Sequence, residues 1–197
     1  METAPLLVVT WPYALVFWAA LVWAFSPEFR VVSRRAGAPA STQDAGSKRL
    51  IMILQPLAIV AAFAVATHVG SAALPHRAWL FWAGVAAIVG GSLLRRHCFR
   101  MLGASFTGAV IVKPDQSVVE RGAYRYVRHP SYTAGTAMFL GIGLALGNGL
   151  GILALVALIA GGYWYRVVVE ERALEATIGD PYRSYMRRTK RFIPFVF

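Results

Sequence analysis

The segment RGAYRYVRHPSYTAG, residues 121 to 135, gathers three arginines, one histidine and three tyrosines directly before a long apolar run. Its proline disfavours helical geometry at His129 and suits the first turn of a following helix, so a helix is expected to begin near Pro130 with Arg128 and His129 just outside it. A helix start offers unpaired N–H groups and the positive end of a dipole, which suits a carboxylate or a ring nitrogen of a ligand. Two readings stand for these residues. Arg128 and His129 contact a ligand, or they solvate a membrane edge, with Tyr124, Tyr126 and Tyr132 forming an interfacial aromatic belt.

A second constellation, YRVVVEERALEATIGDPYRSY, spans residues 165 to 185. Arg166, Glu170 and Leu174 are spaced by four and share one face of a continuous helix. A guanidinium and a carboxylate at that spacing can hold a zwitterionic or carboxylate-bearing ligand, or can pair with each other on a solvated face. Glu171 and Glu175 form another four-spaced set, expected to face solvent. Gly179-Asp180-Pro181 is expected to end the helix, and RSYMRRTKRFIPF to lie on the membrane surface as a basic amphipathic tail. The chain has no GxGxxG, Walker loop, CxxC or HExxH. That argues against soluble nucleotide folds and metal-dependent hydrolysis, and no metal is expected.

The elements that position these groups are read from hydropathy. Of the 197 residues 57% are hydrophobic and the mean hydropathy is +0.55, which points to an all-α, polytopic integral membrane protein of one domain, residues 1–197. The formal charge is +11, but the basic residues flank apolar spans, so they report topology and lipid headgroups rather than nucleic acid. The lone cysteine, Cys98, excludes an intrachain disulfide and is expected to be a small buried or interfacial residue.

Five crossings are expected, at about 6–25, 50–70, 79–94, 132–147 and 150–166. The first lacks the basic flank of a signal peptide and is read as a retained helix. The third is short and is expected to be completed by flanking residues, with Arg95 and Arg96 snorkelling to the interface. Gly147-Asn148-Gly149 divides the last apolar interval into a helical hairpin, and Gly135, Gly141, Gly143 and Gly147 allow its first arm to pack closely on a neighbour. Lys and Arg number five in residues 26–49, seven in 95–133 and seven after Tyr165, leaving only Arg77 for the other side. The positive-inside rule then puts the N-terminus outside and the C-terminus in the cytoplasm, with the connector 95–131 and the tail 167–197 both cytoplasmic.

The pair VVERGAYRYVRHPSYTAG and RVVVEERALEATIGDPYRSYMRRTKRFIPF, in that order and separated by a helical hairpin, resembles the isoprenylcysteine carboxyl methyltransferase family and its wider group of phospholipid methyltransferase-like membrane enzymes. The resemblance covers about residues 110 to 197. It implies S-adenosylmethionine bound on the cytoplasmic side, S-adenosylhomocysteine as product, and a lipophilic or prenylated acceptor arriving laterally from the bilayer. By position it implies that Gln116, Ser117, Val118, Val119, Tyr124, His129, Pro130, Ser131, Tyr132 and Glu170 hold the cofactor, Gln116 standing where the family more often carries a histidine. Arg166 then faces the acceptor, and Arg166 and Glu170 serve catalysis. A carboxylate acceptor is already a nucleophile and needs only positioning at near-attack distance. An amine, thiol or phenol would ask His129 or Glu170 to act as base. Beside these enzymatic readings stands a non-catalytic membrane protein that binds anionic lipid through its basic margins.

Overall fold

Long apolar runs in hydrocarbon can satisfy their backbone only within a helix or a closed barrel, and here they form helices. The computed structural model describes residues 6–33, 42–103, 106, 108–112 and 116–194. Six α-helices follow in order: α1 (Tyr13–Ser33), α2 (Ser47–His68), α3 (Arg77–Leu102), α4 (Pro130–Leu146), α5 (Gly149–Ile178) and α6 (Asp180–Arg188). Among the described residues there is no β-strand, only two isolated backbone bridges. The flank Met1–Pro5, the middle of the first polar loop at 34–41, connector residues 104, 105, 107 and 113–115, and the last three residues of the expected tail lie outside the described residues.

Helices α2, α3 and α5 are long and apolar enough to cross a bilayer. Helix α1 carries a shorter apolar stretch, Tyr13–Pro27, and α4 has 17 residues, about 25 Å of rise. The expected boundaries shift in two places. The first run opens with a 3-10 turn at Leu7–Val9 before α1 begins at Tyr13. The third helix does not stop at Leu94 but continues to Leu102. The fifth runs on past the expected span to Ile178, where Gly179 ends it as expected, so its last three turns extend the membrane helix into the site.

Small residues set the closest approach. A methyl group on Gly84 would fall 2.5 Å from the Gly141 carbonyl oxygen, and one on Gly141 would fall 2.5 Å from that of Gly84. Two turns along α3, Gly91 meets the Ala134 carbonyl and the Met138 side chain in the same way. Backbone contact of this kind substitutes for a hydrophobic driving force that lipid does not supply. Gly135 clears the Tyr163 ring and Gly143 clears Ile152 of α5, as expected for the hairpin's first arm. The hairpin turns at Gly147, with φ +65. Asn148, 1% exposed, caps α5 by accepting from the Gly151 N–H at 3.0 Å and donates to the Val69 carbonyl at 2.9 Å.

Because α3 runs on to Leu102, Arg95 and Arg96 lie inside it and bridge to neighbours. Arg95 donates to the Ser131 carbonyl at 2.6 Å. Arg96 repairs α1, where Pro27 has no N–H to give the Trp23 carbonyl four residues earlier. That carbonyl receives the Arg96 guanidinium at 2.6 Å and the Ser26 hydroxyl at 2.9 Å, while the guanidinium lies 4.4 Å from the Trp23 ring centroid. The interlock makes a direct prediction. Gly84→Ala should cost about 1–3 kcal/mol through overpacking, whereas Gly90→Ala, on open space in the same helix, should be neutral or slightly stabilising. Thermal unfolding of the two variants in detergent checks this, and equal melting temperatures would refute the interlock.

Candidate active site

On α5 the residues Arg166, Glu170, Leu174 and Ile178 recur every four positions, a stripe about 18 Å long from the apolar part of the helix to its free end. Arg166 and Glu170 do not pair with each other. Instead the Tyr132 hydroxyl stands between them, donating to Glu170 Oε2 at 2.8 Å and accepting from Arg166 Nε at 3.2 Å. Tyr132 is fixed by the start of α4, where Pro130 occupies the first turn and His129 the cap. The sequence thus placed the helix start correctly, and Tyr132 is the third residue of the helix.

The rest of the Arg166 guanidinium is held by residues far away in the chain. Nη1 donates to the Asp44 carboxylate and to Ser47 Oγ, and Nη2 to the Gly108 carbonyl at 3.1 Å. Asp44 also accepts the backbone N–H groups of Val110 at 2.9 Å and Lys48 at 3.0 Å. Gln43 accepts that of Val112 at 3.1 Å. The connector is therefore strapped to the start of α2 over the stripe. Burial alone would raise the Asp44 carboxyl, but the two N–H groups and the Arg166 guanidinium outweigh it and hold the pKa below the ordinary 3.8.

Glu171, expected in solvent, is instead 4% exposed and collects three basic side chains. Arg128 Nε donates to it at 2.9 Å, His129 Nε2 sits at 3.2 Å, and Arg191 donates through Nε and Nη2 at 3.0 and 2.7 Å. Arg128 and His129 therefore do not solvate a membrane edge, since α5 turns this carboxylate inward beneath them. Glu175, the other member of the four-spaced set, is half-buried and paired with Arg183. The tail does not simply lie on a surface. Its chain after α6 is stitched to the approach to α4, with Arg128 and His129 N–H groups bonded to the Lys190 and Arg191 carbonyls at 2.8 and 3.0 Å. Helix α6 is amphipathic as expected, but its inward residues, Tyr182 and Tyr185, close the site.

These elements enclose one cavity. Gln116, Ser117, Val118, Val119, Tyr124, His129, Ser131, Tyr132, Arg166 and Glu170 all line it, whereas Pro130, buried in the first turn of α4, does not. Val110, Val112, Leu174 and Ile178 contribute to an apolar wall, and Arg128, Tyr182 and Tyr185 also line the cavity. Sequence reading missed Asp44, Glu171 and the two α6 tyrosines. Asp44 had a local signal, a carboxylate four residues before an α2 N–H that it accepts; Glu171 had none beyond its place next to Glu170. No cluster of metal-binding side chains occurs among the described residues.

Glu171→Ala should leave His129 without its ring partner and the buried Arg128 guanidinium without its counter-ion, though still bonded to the Met186 and Thr189 carbonyls, and cost about 3–5 kcal/mol, read as a large fall in melting temperature. For Asp44 the sign follows from its depressed pKa. Its contribution is complete above the unfolded value near 3.8 and is lost as pH falls through the lower folded value. Asp44→Asn should therefore be less stable than the parent at neutral pH and lose less on acidification below about pH 4, measured as melting temperature against pH.

With this geometry in hand, comparison with known proteins is informative. The family model for phospholipid methyltransferases matches residues 79–180. Protein-S-isoprenylcysteine O-methyltransferase B of Arabidopsis thaliana is 28% identical over 120 residues, 60% of this chain and 61% of its own length. The protein-S-isoprenylcysteine O-methyltransferase of Schizosaccharomyces pombe is 32% identical over 108 residues, 54% of this chain and 46% of its own. The match therefore spans about half to three fifths of these curated relatives. Among solved structures, the eukaryotic intramembrane Ras methyltransferase ICMT superposes with a TM-score of 0.68 at 21% identity, covering 97% of this chain and 70% of that one. The fold is shared, and with helices able to cross a bilayer the chain is an integral membrane protein. The matched region holds α3, α4, α5 and most of the cavity, so this chain belongs to the phospholipid methyltransferase family.

Proposed function

We propose that the protein transfers a methyl group from S-adenosylmethionine to a lipophilic acceptor reaching the site laterally from the bilayer, by carboxyl O-methylation of the isoprenylcysteine type. The observation that carries this reading is the cavity at the end of the α4–α5 hairpin, where a guanidinium and a carboxylate share one tyrosine hydroxyl beside an apolar wall. The relatives bearing the isoprenylcysteine O-methyltransferase name support the acceptor class.

The residues present fit the cofactor. The Tyr124 hydroxyl and the Ser131 side chain stand on the cavity wall, polar groups that a ligand's hydroxyl or amine can engage. Glu170 and the Tyr132 ring suit a cationic centre, by charge and by cation–π attraction. Val110, Val112, Leu174 and Ile178 suit the flat apolar faces of a purine. Bound there, S-adenosylmethionine supplies a methyl carbon activated by sulfonium charge, so attack by a carboxylate oxygen forms the C–O bond, breaks the C–S bond and leaves S-adenosylhomocysteine.

The chain's own residues then have positional work. Arg166, rigidly held by Asp44, Ser47 and Tyr132, directs its remaining Nη2 hydrogen at the acceptor carboxylate and fixes its approach. The connector strap and α6 exclude water. His129 is committed to Glu171 and Glu170 to Tyr132, so neither is required as a base, in keeping with an acceptor that is already ionised. The segment 116–119, Tyr124, His129, Ser131, Tyr132 and Glu170 hold the cofactor, and no metal takes part. The basic margins on the cavity side support a five-crossing topology with the N-terminus outside and the site facing the cytoplasm, the whole of 1–197 acting as one domain.

Calorimetric titration of the protein in nanodiscs with S-adenosylhomocysteine should give saturable binding. Glu170→Ala should weaken it about 10- to 100-fold. Arg166→Lys, which keeps the charge for Asp44 but not the fork, should retain binding and lose methyl transfer to a farnesylated N-acetylcysteine. Absence of binding by the parent protein in nanodiscs would overturn the proposal.

A further inference from the structure

Tyr182 lies one four-residue step beyond Ile178, continuing the Arg166–Glu170–Leu174–Ile178 series after the helix breaks. Gly179, at φ +73, makes that break, and α6 starts anew so that Tyr182 lines the cavity. The residue is 3% exposed, and its hydroxyl is buried with no hydrogen-bond partner among the described residues. A buried unpaired hydroxyl destabilises the fold that contains it. A phenylalanine would cover the same apolar area without that penalty, so closing the cavity does not explain the oxygen. The neighbouring inward tyrosine provides the contrast: the Tyr185 hydroxyl donates to the Tyr124 carbonyl at 2.6 Å and ties α6 to the segment before α4.

We infer that Tyr182 is a ligand-binding residue whose hydroxyl completes its hydrogen bonding with a polar atom of the nucleoside cofactor, here the S-adenosylmethionine of the proposed function, on which this inference rests. The hydroxyl suits that part. Burial first, and then the carboxylates of Glu171 and Glu170, hold the phenol well above its ordinary pKa, so it stays neutral and offers both a donor and an acceptor. Among the residues that close the cavity from α6 it is the one with an oxygen left to give, since that of Tyr185 is engaged. Its role is separate from Arg166, which stands at the far end of the stripe.

The test sets binding against stability. Tyr182→Phe should raise the dissociation constant for S-adenosylhomocysteine about three- to tenfold, the range of one hydrogen bond. In the ligand-free protein the same substitution should leave the melting temperature unchanged or raise it. Tyr185→Phe should lower it, because a made hydrogen bond is lost. The opposite signs separate a ligand contact from a structural one. Unchanged affinity in Tyr182→Phe, with the parent protein binding normally, overturns the inference and leaves the proposed function standing. So does a fall in ligand-free melting temperature, which would reveal a protein partner for the hydroxyl. Failure of the parent protein itself to bind is a different result and removes the function on which the inference rests.

Discussion

One buried carboxylate holds the cavity end of this protein together. Glu171 accepts from Arg128, His129 and Arg191, and those three residues belong to the approach to α4 and to the chain after α6. Each donor would be costly if left alone in so dry a place, and so would the acid. Pairing them satisfies all four groups only when α5, the start of α4 and the tail meet in one arrangement. The backbone bonds from Arg128 and His129 to Lys190 and Arg191 repeat the constraint along the main chain. Tyr132, Ser131 and Tyr182 then take their positions on the cavity as neighbours of that junction.

Elsewhere the fold relies on fit. Gly84 against Gly141 and Gly91 against Ala134 leave no space between α3 and α4, so the register of those helices is set by backbone rather than by side chain. Arg95 and Arg96 extend this frame, the first reaching Ser131 at the site and the second filling the hydrogen bond that Pro27 withholds. The site is polar, its supporting frame is made of small residues, and Arg95 of α3 connects the two.

Local signals in the sequence were enough for the helix start at Pro130, the turn at Gly147-Asn148 and the common face of Arg166 and Glu170, because each depends on residues within about one helical turn. Of the residues that the resemblance to methyltransferases assigned to a cofactor, Pro130 alone is absent from the cavity wall. What escaped had partners too distant for spacing to reveal. Asp44 meets Arg166 across 122 positions, and Arg191 meets Glu171 across 20 with a helix break between. The acceptors of Arg95 and Arg96 on α4 and α1, which let α3 continue past its apolar span, are likewise beyond local spacing. Even the i,i+4 spacing of Arg166 and Glu170 concealed the intervening Tyr132 hydroxyl.

The two ends of the α4–α5 seam are closed by different chemistry. At one end Gly147 and Asn148 join the helices covalently in a capped turn; at the other they are joined by Tyr132 with Arg166 and Glu170, and by Arg128 and His129 with Glu171. Any fluctuation that parts the pair must pivot on the turn and open at the polar end. The groups bared there can be rehydrated by water arriving through the cavity, but not by acyl chains. The seam is thus asymmetric, covalent at the turn and held by buried polar pairs at the cavity, so parting it at the cavity end exposes groups that demand polar partners.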